Sequence, residues 1–179
     1  VLRKGTPLVR YQSQNTDYAD MYELIKALEL SPETFMKLKV HCDRRGIRFM
    51  STAFDMPSLD MLVKSIGIDV LKIPSGEADN ILFLRACART GLPVIFSTGM
   101  CSLEEIDIAI EAMREIWKSG AGHPKLTLLH CTTAYPTPSA DVHLRSMPTL
   151  ADRYGLPVGL SDHSEGRTAA IAAEAMGST

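Results

Sequence analysis

Charge excess is the first thing this sequence lacks. Its 19 Lys and Arg stand against 21 Asp and Glu, a formal net charge of −2, which argues against nucleic acid or an anionic membrane surface as the main partner. Long hydrophobic runs are missing too. No stretch reaches the roughly 18 apolar residues that span a bilayer, and the opening VLRKGTPLVRYQ has no apolar core of a signal peptide. Cysteine is sparse: Cys42, Cys87, Cys101 and Cys131 form no CxxC pair, and a chain of this size needs no disulfide framework. Reduced thiols and a cytoplasmic protein are expected. No GxGxxG or P-loop follows any apolar run, which weakens a nucleotide-binding reading, and no internal repeat or low-complexity tract is visible. An initiating methionine is absent as well. The chain starts at Val1 and ends in AAEAMGST, so both ends read as cut.

What is present is ordinary for one soluble globular domain with a sizeable core, at 45% hydrophobic and 22% charged residues. Apolar runs rich in β-branched residues predict strands at 47–51, 70–73, 94–97, 126–130 and 158–160. Helical patterns lie between them. Residues 33–45 put Phe35, Leu38 and Cys42 on one face, opened by Ser31 as N-cap and Pro32 in the first turn. The clearest helix is 103–118. Ser102 and Glu105 form a capping box there, Leu103, Ile106, Ile110, Met113 and Trp117 form a stripe for burial, and Gly120 and Gly122 are stop signals. Residues 57–66, 80–90, 141–154 and 165–176 also read as helices, with Pro148 making the 141–154 segment irregular.

Strict alternation of strand and helix predicts a parallel sheet covered by helices. Two architectures fit, a doubly wound open sheet or a (β/α)8 TIM-barrel. About five βα units fit in this length, whereas a closed barrel needs about 250 residues. Every predicted strand breaks at its carboxyl end into polar residues: RFMSTAFD, DVLKIPSGEAD, PVIFSTGM, LTLLHCTTAYPTP and PVGLSDHSEG. Polar clusters after all five strands, rather than at one switch point, favour the barrel, whose strand ends converge on one mouth. Residues 1–179 then read as the central portion of a partial barrel.

That mouth would collect Ser51, Thr52, Lys72, Ser75, Glu77, Ser97, Thr98, His130, Thr132, Thr133, Tyr135, Ser161, Asp162 and His163. A lysine ringed by hydroxyls and strand-end amides suits a phosphate or carboxylate. A glutamate and a histidine beside it can exchange protons or hold a metal. Lys72 lies inside an apolar strand, where an unpaired ammonium is costly unless it serves a ligand. Ser75 and Ser97 stand just before glycine turns, where backbone can approach a ligand closely. Plainer roles fit other residues. Ser102 and Ser164 read as helix caps, EEIDIAIE as a solvated helix face, and His163 as either a turn residue or a ligand.

The segments KIPSGE, STGM, HCTTAYPTP, GLPVGLSDHSEG and AAIAAEAMG, in this order and spacing, resemble the sialic acid synthase family. That family contains N-acetylneuraminate synthase and its legionaminic and pseudaminic acid relatives. The resemblance covers essentially the whole chain, and YQSQN, with Asn15, is similar to the family's segment after the second barrel strand. It implies a barrel enzyme that condenses phosphoenolpyruvate with an open-chain N-acylated mannosamine-type sugar, giving a nonulosonic acid and phosphate. It also implies a divalent metal held by two histidines, manganese first and magnesium or cobalt next. An antifreeze-like C-terminal domain would reach into the partner subunit's site of a domain-swapped homodimer. Carried over residue by residue, Thr52, Lys72, Ser75, Ser97, Thr132 and Ser161 would cradle phosphoenolpyruvate, and His163 would be one metal ligand. Glu77 would be the acid/base, with Lys72 beside it in the catalytic set, and Tyr135 and Asn15 would line the sugar site. The family's first-strand glutamate, second-strand lysine, second histidine and C-terminal domain have no counterpart here. Thr132 stands where several members carry asparagine and Ala134 where many carry glutamate, which leaves the acceptor sugar open. Two rival readings are a class I aldolase with Lys72 as Schiff-base nucleophile and a truncated, non-catalytic piece of a barrel.

Overall fold

The structure, a computed structural model, describes residues 3–14, 16–121 and 125–179, so Asn15 and Gly122 lie outside the described residues. The chain divides into two compact units, Val1–Phe49 and Met50–Thr179. The first holds helices α1 (Arg10–Ser13), α2 (Met21–Leu28) and α3 (Pro32–Arg44). Asp20 caps α2, its carboxylate accepting from the Glu23 amide at 2.8 Å and the Gly5 amide at 2.6 Å. Ser31 caps α3 through the Thr34 amide at 3.3 Å, with Pro32 in the first turn, as the sequence predicts. The stripe expected on α3 is not buried, however: none of the described residues of this unit is.

The second unit runs α4 (Met56–Asp60), a π-helical extension (Met61–Ile66), β1 (Leu71–Ile73), α5 (Ile81–Arg89), β2 (Val94–Ser97) and α6 (Leu103–Ile116). It continues through β3 (Leu126–Cys131), α7 (Ser146–Tyr154), β4 (Val158–Ser161) and α8 (Thr168–Ala175). The four strands are parallel and stand in the order β1-β2-β3-β4. That order never reverses. Right-handed crossovers therefore place every connecting helix on one face, whereas a doubly wound sheet needs a reversal. Burial agrees. Leu71, Ile73, Val94, Phe96, Leu126, Leu128 and Val158 are buried beneath the helices, while Lys72, Ile95, Thr127, Leu129 and Ser161, alternating with them, are half-buried. The strand ends also step: Lys72 pairs with Ile95, Ser97 with Leu129, and Cys131 with Ser161. Stagger of this kind is what tilted barrel strands require, and the sheet is an arc of such a barrel.

Three expectations need correction. The run at 47–51 forms no strand; only Thr52 pairs, in an isolated parallel bridge to Lys72. A strand exists through its ladder, and β1 offers a neighbour on that side a single rung. The helix expected at 141–154 begins at Ser146, after a 3-10 turn at Ser139–Asp141. Pro148 sits in the first turn of α7, where its missing N–H and fixed φ do no harm. On α6, Ile106, Ile110, Met113 and Trp117 are buried but Leu103 is not. The capping box is present: the Glu105 carboxylate accepts from the Ser102 amide at 2.7 Å and the Ser102 hydroxyl from the Glu105 amide at 3.3 Å. Trp117 opens a π-helical turn that ends past Gly120, at φ 116°, and its indole N–H donates to the Ala88 carbonyl at 3.2 Å, fastening α6 to α5. No helix among the described residues is long and apolar enough to cross a membrane.

Candidate active site

Lys72 and Ser97 face away from the helices by the alternation of β1 and β2. Among the described residues no carboxylate pairs with Lys72, and burial holds its pKa below the ordinary lysine value, with the Cys131 thiol opposing that shift. The Ser97 side chain is buried, and its hydroxyl has no hydrogen-bond partner among the described residues. Both groups cost free energy as they stand: an unmet buried hydroxyl about 1–3 kcal/mol, and a half-buried unpaired ammonium a further penalty. An anionic ligand oxygen would satisfy both. Thr52, bridged to Lys72, and Ser161, at the end of β4, lie on the same face.

The loops after β3 and β4 interlock. His163 Nδ1 lies 2.9 Å from the Thr132 carbonyl oxygen and Nε2 lies 3.2 Å from the Ser161 hydroxyl. A carbonyl only accepts, so Nδ1 carries the proton, and in the neutral ring Nε2 is the acceptor. The Tyr135 ring stacks on the imidazole, centroids 4.3 Å apart and planes tilted by 32°. Thr132 serves through its carbonyl, while its hydroxyl donates to the Asp141 carbonyl at 2.8 Å. Asp162 turns its carboxylate onto its own loop, accepting from the Ser164 amide and hydroxyl at 2.8 and 2.7 Å.

At the β1 end, Ser75 and Glu77 form a 3-10 turn (Ser75–Glu77). The Glu77 carboxylate accepts from the Asn80 side-chain amide at 2.8 Å, and Asn80 in turn caps α5 through the Phe83 amide at 3.2 Å. The Cys101 thiol lies 3.7 Å from the Ser75 carbonyl oxygen, tying the loop after β2 to this turn. Burial first, then Glu105 and Cys131, push that thiol up to about 11, so it is neutral and donates.

His130 does not join the mouth. It falls on the helix face of β3, buried, with Nε2 donating to the Val142 carbonyl at 2.7 Å. A cavity of about 960 Å³ between α6 and α7 includes His130, Leu103, Ile106 and Leu150 in its wall, but not Lys72, Ser97 or Ser161. Thr98, expected at the mouth, lines that cavity instead, its amide and hydroxyl both donating to the Leu129 carbonyl at 3.0 Å. Sequence reasoning passed over Cys131, which strand parity places opposite Ser161.

The metal fit rests on His163. Its Nδ1–H anchored on a backbone carbonyl makes Nε2 the ligating position, the arrangement in which histidine holds metals, with the Ser161 hydroxyl as the partner a bound ion would displace. His163 thus fits one corner of a coordination sphere. Among the described residues no group of three His, Cys, Asp or Glu could hold an ion alone.

Comparison with known proteins agrees with this arc. The chain is 43% identical over 178 residues to N,N'-diacetyllegionaminic acid synthase of Legionella pneumophila, covering 99% of this chain and 49% of that protein. It is 31% identical over 151 residues to N-acetylneuraminate-9-phosphate synthase of Drosophila melanogaster, covering 84% of this chain and 39% of that one. Among solved structures, the N-acetylneuraminic acid synthetase of Leptospira borgpetersenii, crystallised with citrate, superimposes with a TM-score of 0.82 at 35% identity, covering 93% of this chain and 56% of that one. A truncated 3-deoxy-D-arabino-heptulosonate 7-phosphate synthase of Thermotoga maritima shares the fold, at a TM-score of 0.64 and 21% identity. The chain spans about half the length of the curated relatives it matches most fully. The NeuB family model matches residues 2–179, and the chain belongs to the NeuB family.

Proposed function

We propose that the protein containing this chain condenses phosphoenolpyruvate with an N-acylated amino sugar, forming a nonulosonic acid and inorganic phosphate. The observation that carries the reading is the unmet pair on one sheet face, the orphan Ser97 hydroxyl and the unpaired Lys72. Relatives that are legionaminic, neuraminate and pseudaminic acid synthases support the choice of reaction. Lys72 balances the charge of the phosphate, and Ser97, Ser75 and Ser161 donate to its oxygens. The cradle holds the leaving phosphate as charge develops on it. Thr132 contributes by holding His163 rather than by its own hydroxyl. Glu77, held by Asn80, moves the proton as water adds to the intermediate. Tyr135, exposed over His163, lines the sugar side, with Asn15 as a further contact. A divalent ion such as manganese, held in part by His163, would supply Lewis-acid polarisation of the sugar aldehyde. The protein works in the cytoplasm as a homodimer, without nucleic acid or membrane as partner.

The test is incubation of the full-length protein with phosphoenolpyruvate and N-acylated amino sugars. Phosphate and a nine-carbon keto acid should appear together, and borohydride should trap no adduct on Lys72. Ser97→Ala should lower phosphoenolpyruvate affinity, since the hydroxyl has no other partner to lose. Unchanged affinity in both Ser97→Ala and Lys72→Met would remove the cradle from the reading.

A further inference from the structure

We propose that Thr137 is a positioning residue that fixes the tautomer and orientation of the His163 ring. Thr137 is 5% exposed and stands between Pro136 and Pro138 in YPTP. Neither proline has an N–H, so the Thr137 amide is the one backbone donor of the three. It donates to the His163 carbonyl at 2.8 Å and forms, with Ser164, an isolated parallel bridge. The Thr137 hydroxyl lies 2.8 Å from the Ala134 carbonyl oxygen and 3.4 Å from that of Thr132. The Thr132 carbonyl is also the acceptor for His163 Nδ1–H. One buried residue therefore grips the His163 backbone with its amide. With its hydroxyl it grips the loop carrying both the Thr132 carbonyl and the Tyr135 ring.

The stretch 132–136 has no ladder or helix to hold it. Its shape depends on such side-chain bonds to its own carbonyls. Without the Thr137 hydroxyl the loop is free to shift, the Nδ1–H bond to Thr132 lengthens, and the two tautomers of the neutral ring approach equal energy. With it, the Nε2 lone pair is held toward Ser161 and the rim.

The position of the proton is readable without any substrate. In full-length protein labelled with 15N-histidine, long-range proton–nitrogen correlation should show His163 as a single Nδ1–H tautomer. Thr137→Val keeps the shape and the amide but loses the hydroxyl, and should show a mixture of tautomers. Thr137→Ser should restore the single form. The catalytic arm rests on the function proposed above: Thr137→Val should lower kcat by about 10- to 100-fold, the loss seen when the group behind a metal-binding histidine is removed. The KM for phosphoenolpyruvate should change little, because Lys72 and Ser97 are untouched. An Nε2–H tautomer in the wild-type protein, or a single Nδ1–H form in a folded Thr137→Val protein, overturns the proposal. If Thr137→Val does not fold, the wild-type tautomer and the Thr137→Ser kinetics still decide it. A protein that shows the expected tautomers yet makes no nonulosonic acid refutes the function and leaves the positioning role standing.

Discussion

Under the proposed function Lys72 carries opposite effects on stability and on binding, and pH separates them. Burial lowers its folded pKa below 10.5. Between the lowered value and 10.5 the unfolded chain keeps a proton that the folded chain has released, so this group makes stability rise with pH across that window. Lys72→Met removes the effect. Its urea midpoint should exceed that of the wild type at neutral pH, and the gap should narrow as pH approaches 10.5. A gap that widens would contradict the burial reading. The same substitution should weaken phosphate binding by about 1.5–3 kcal/mol, measured by calorimetry. Gly99 is a second pressure point. A Cβ there would lie 2.6 Å from Cys131 Sγ, 2.8 Å from the Cys131 carbonyl oxygen and 3.0 Å from the Thr133 hydroxyl. Gly99→Ala should cost about 1–3 kcal/mol in denaturant unfolding, the usual penalty of overpacking. The placement of Lys72 and Ser97 on the open face of the sheet could be read from sequence because charge and hydroxyl stand where an apolar run should continue. His130 misled because LTLLHC is apolar on both faces, so parity had to be counted from a register that only pairing supplies.

At the scale of elements, α6 is the most locally determined. Ser102→Ala should cost about 0.5–2 kcal/mol in thermal or urea unfolding, because it leaves orphan amides in the first turn. Arg153→Ala should cost less than that, since its pair with Asp107 at 2.5 Å is nearly half exposed on both sides and screened by water. A larger effect for Arg153 than for Ser102 would invert that ranking. The caps at Ser31 and Ser102 were legible because capping uses residues within four positions of each other. The strand expected at 47–51 failed for the converse reason. Its apolar residues satisfy a local pattern, but a strand depends on partners distant in sequence, and only Thr52 finds one. The start of α7 was misplaced at 141 because Pro148 was taken as an irregularity within a helix, whereas it belongs in a first turn.

For the second unit as a whole, one-sided cover is the organising fact. Strands β2 and β3 each have a strand on both sides, and Phe96 and Leu128 are fully buried. Their amides should be the slowest to exchange with deuterium, slower than those of β1 and of the loops carrying Tyr135 and His163. Protection spread evenly over all four strands would argue against this ordering. Barrel topology was legible because polar residues follow every strand, a feature that a single switch point does not produce. The two-unit division was not, since no glycine- or proline-rich linker marks residue 49.

The strand order also works as a ruler. Neighbouring strands lie about 4.8 Å apart, so three steps from β1 to β4 measure roughly 14 Å along the rim. A three-carbon phosphoester is shorter than that. Lys72 marks one end of the scale, Ser97 stands one step in on β2, and Ser161, followed by His163, marks the other end. An arc of four strands is therefore long enough to seat two reactants side by side, as the proposed condensation requires.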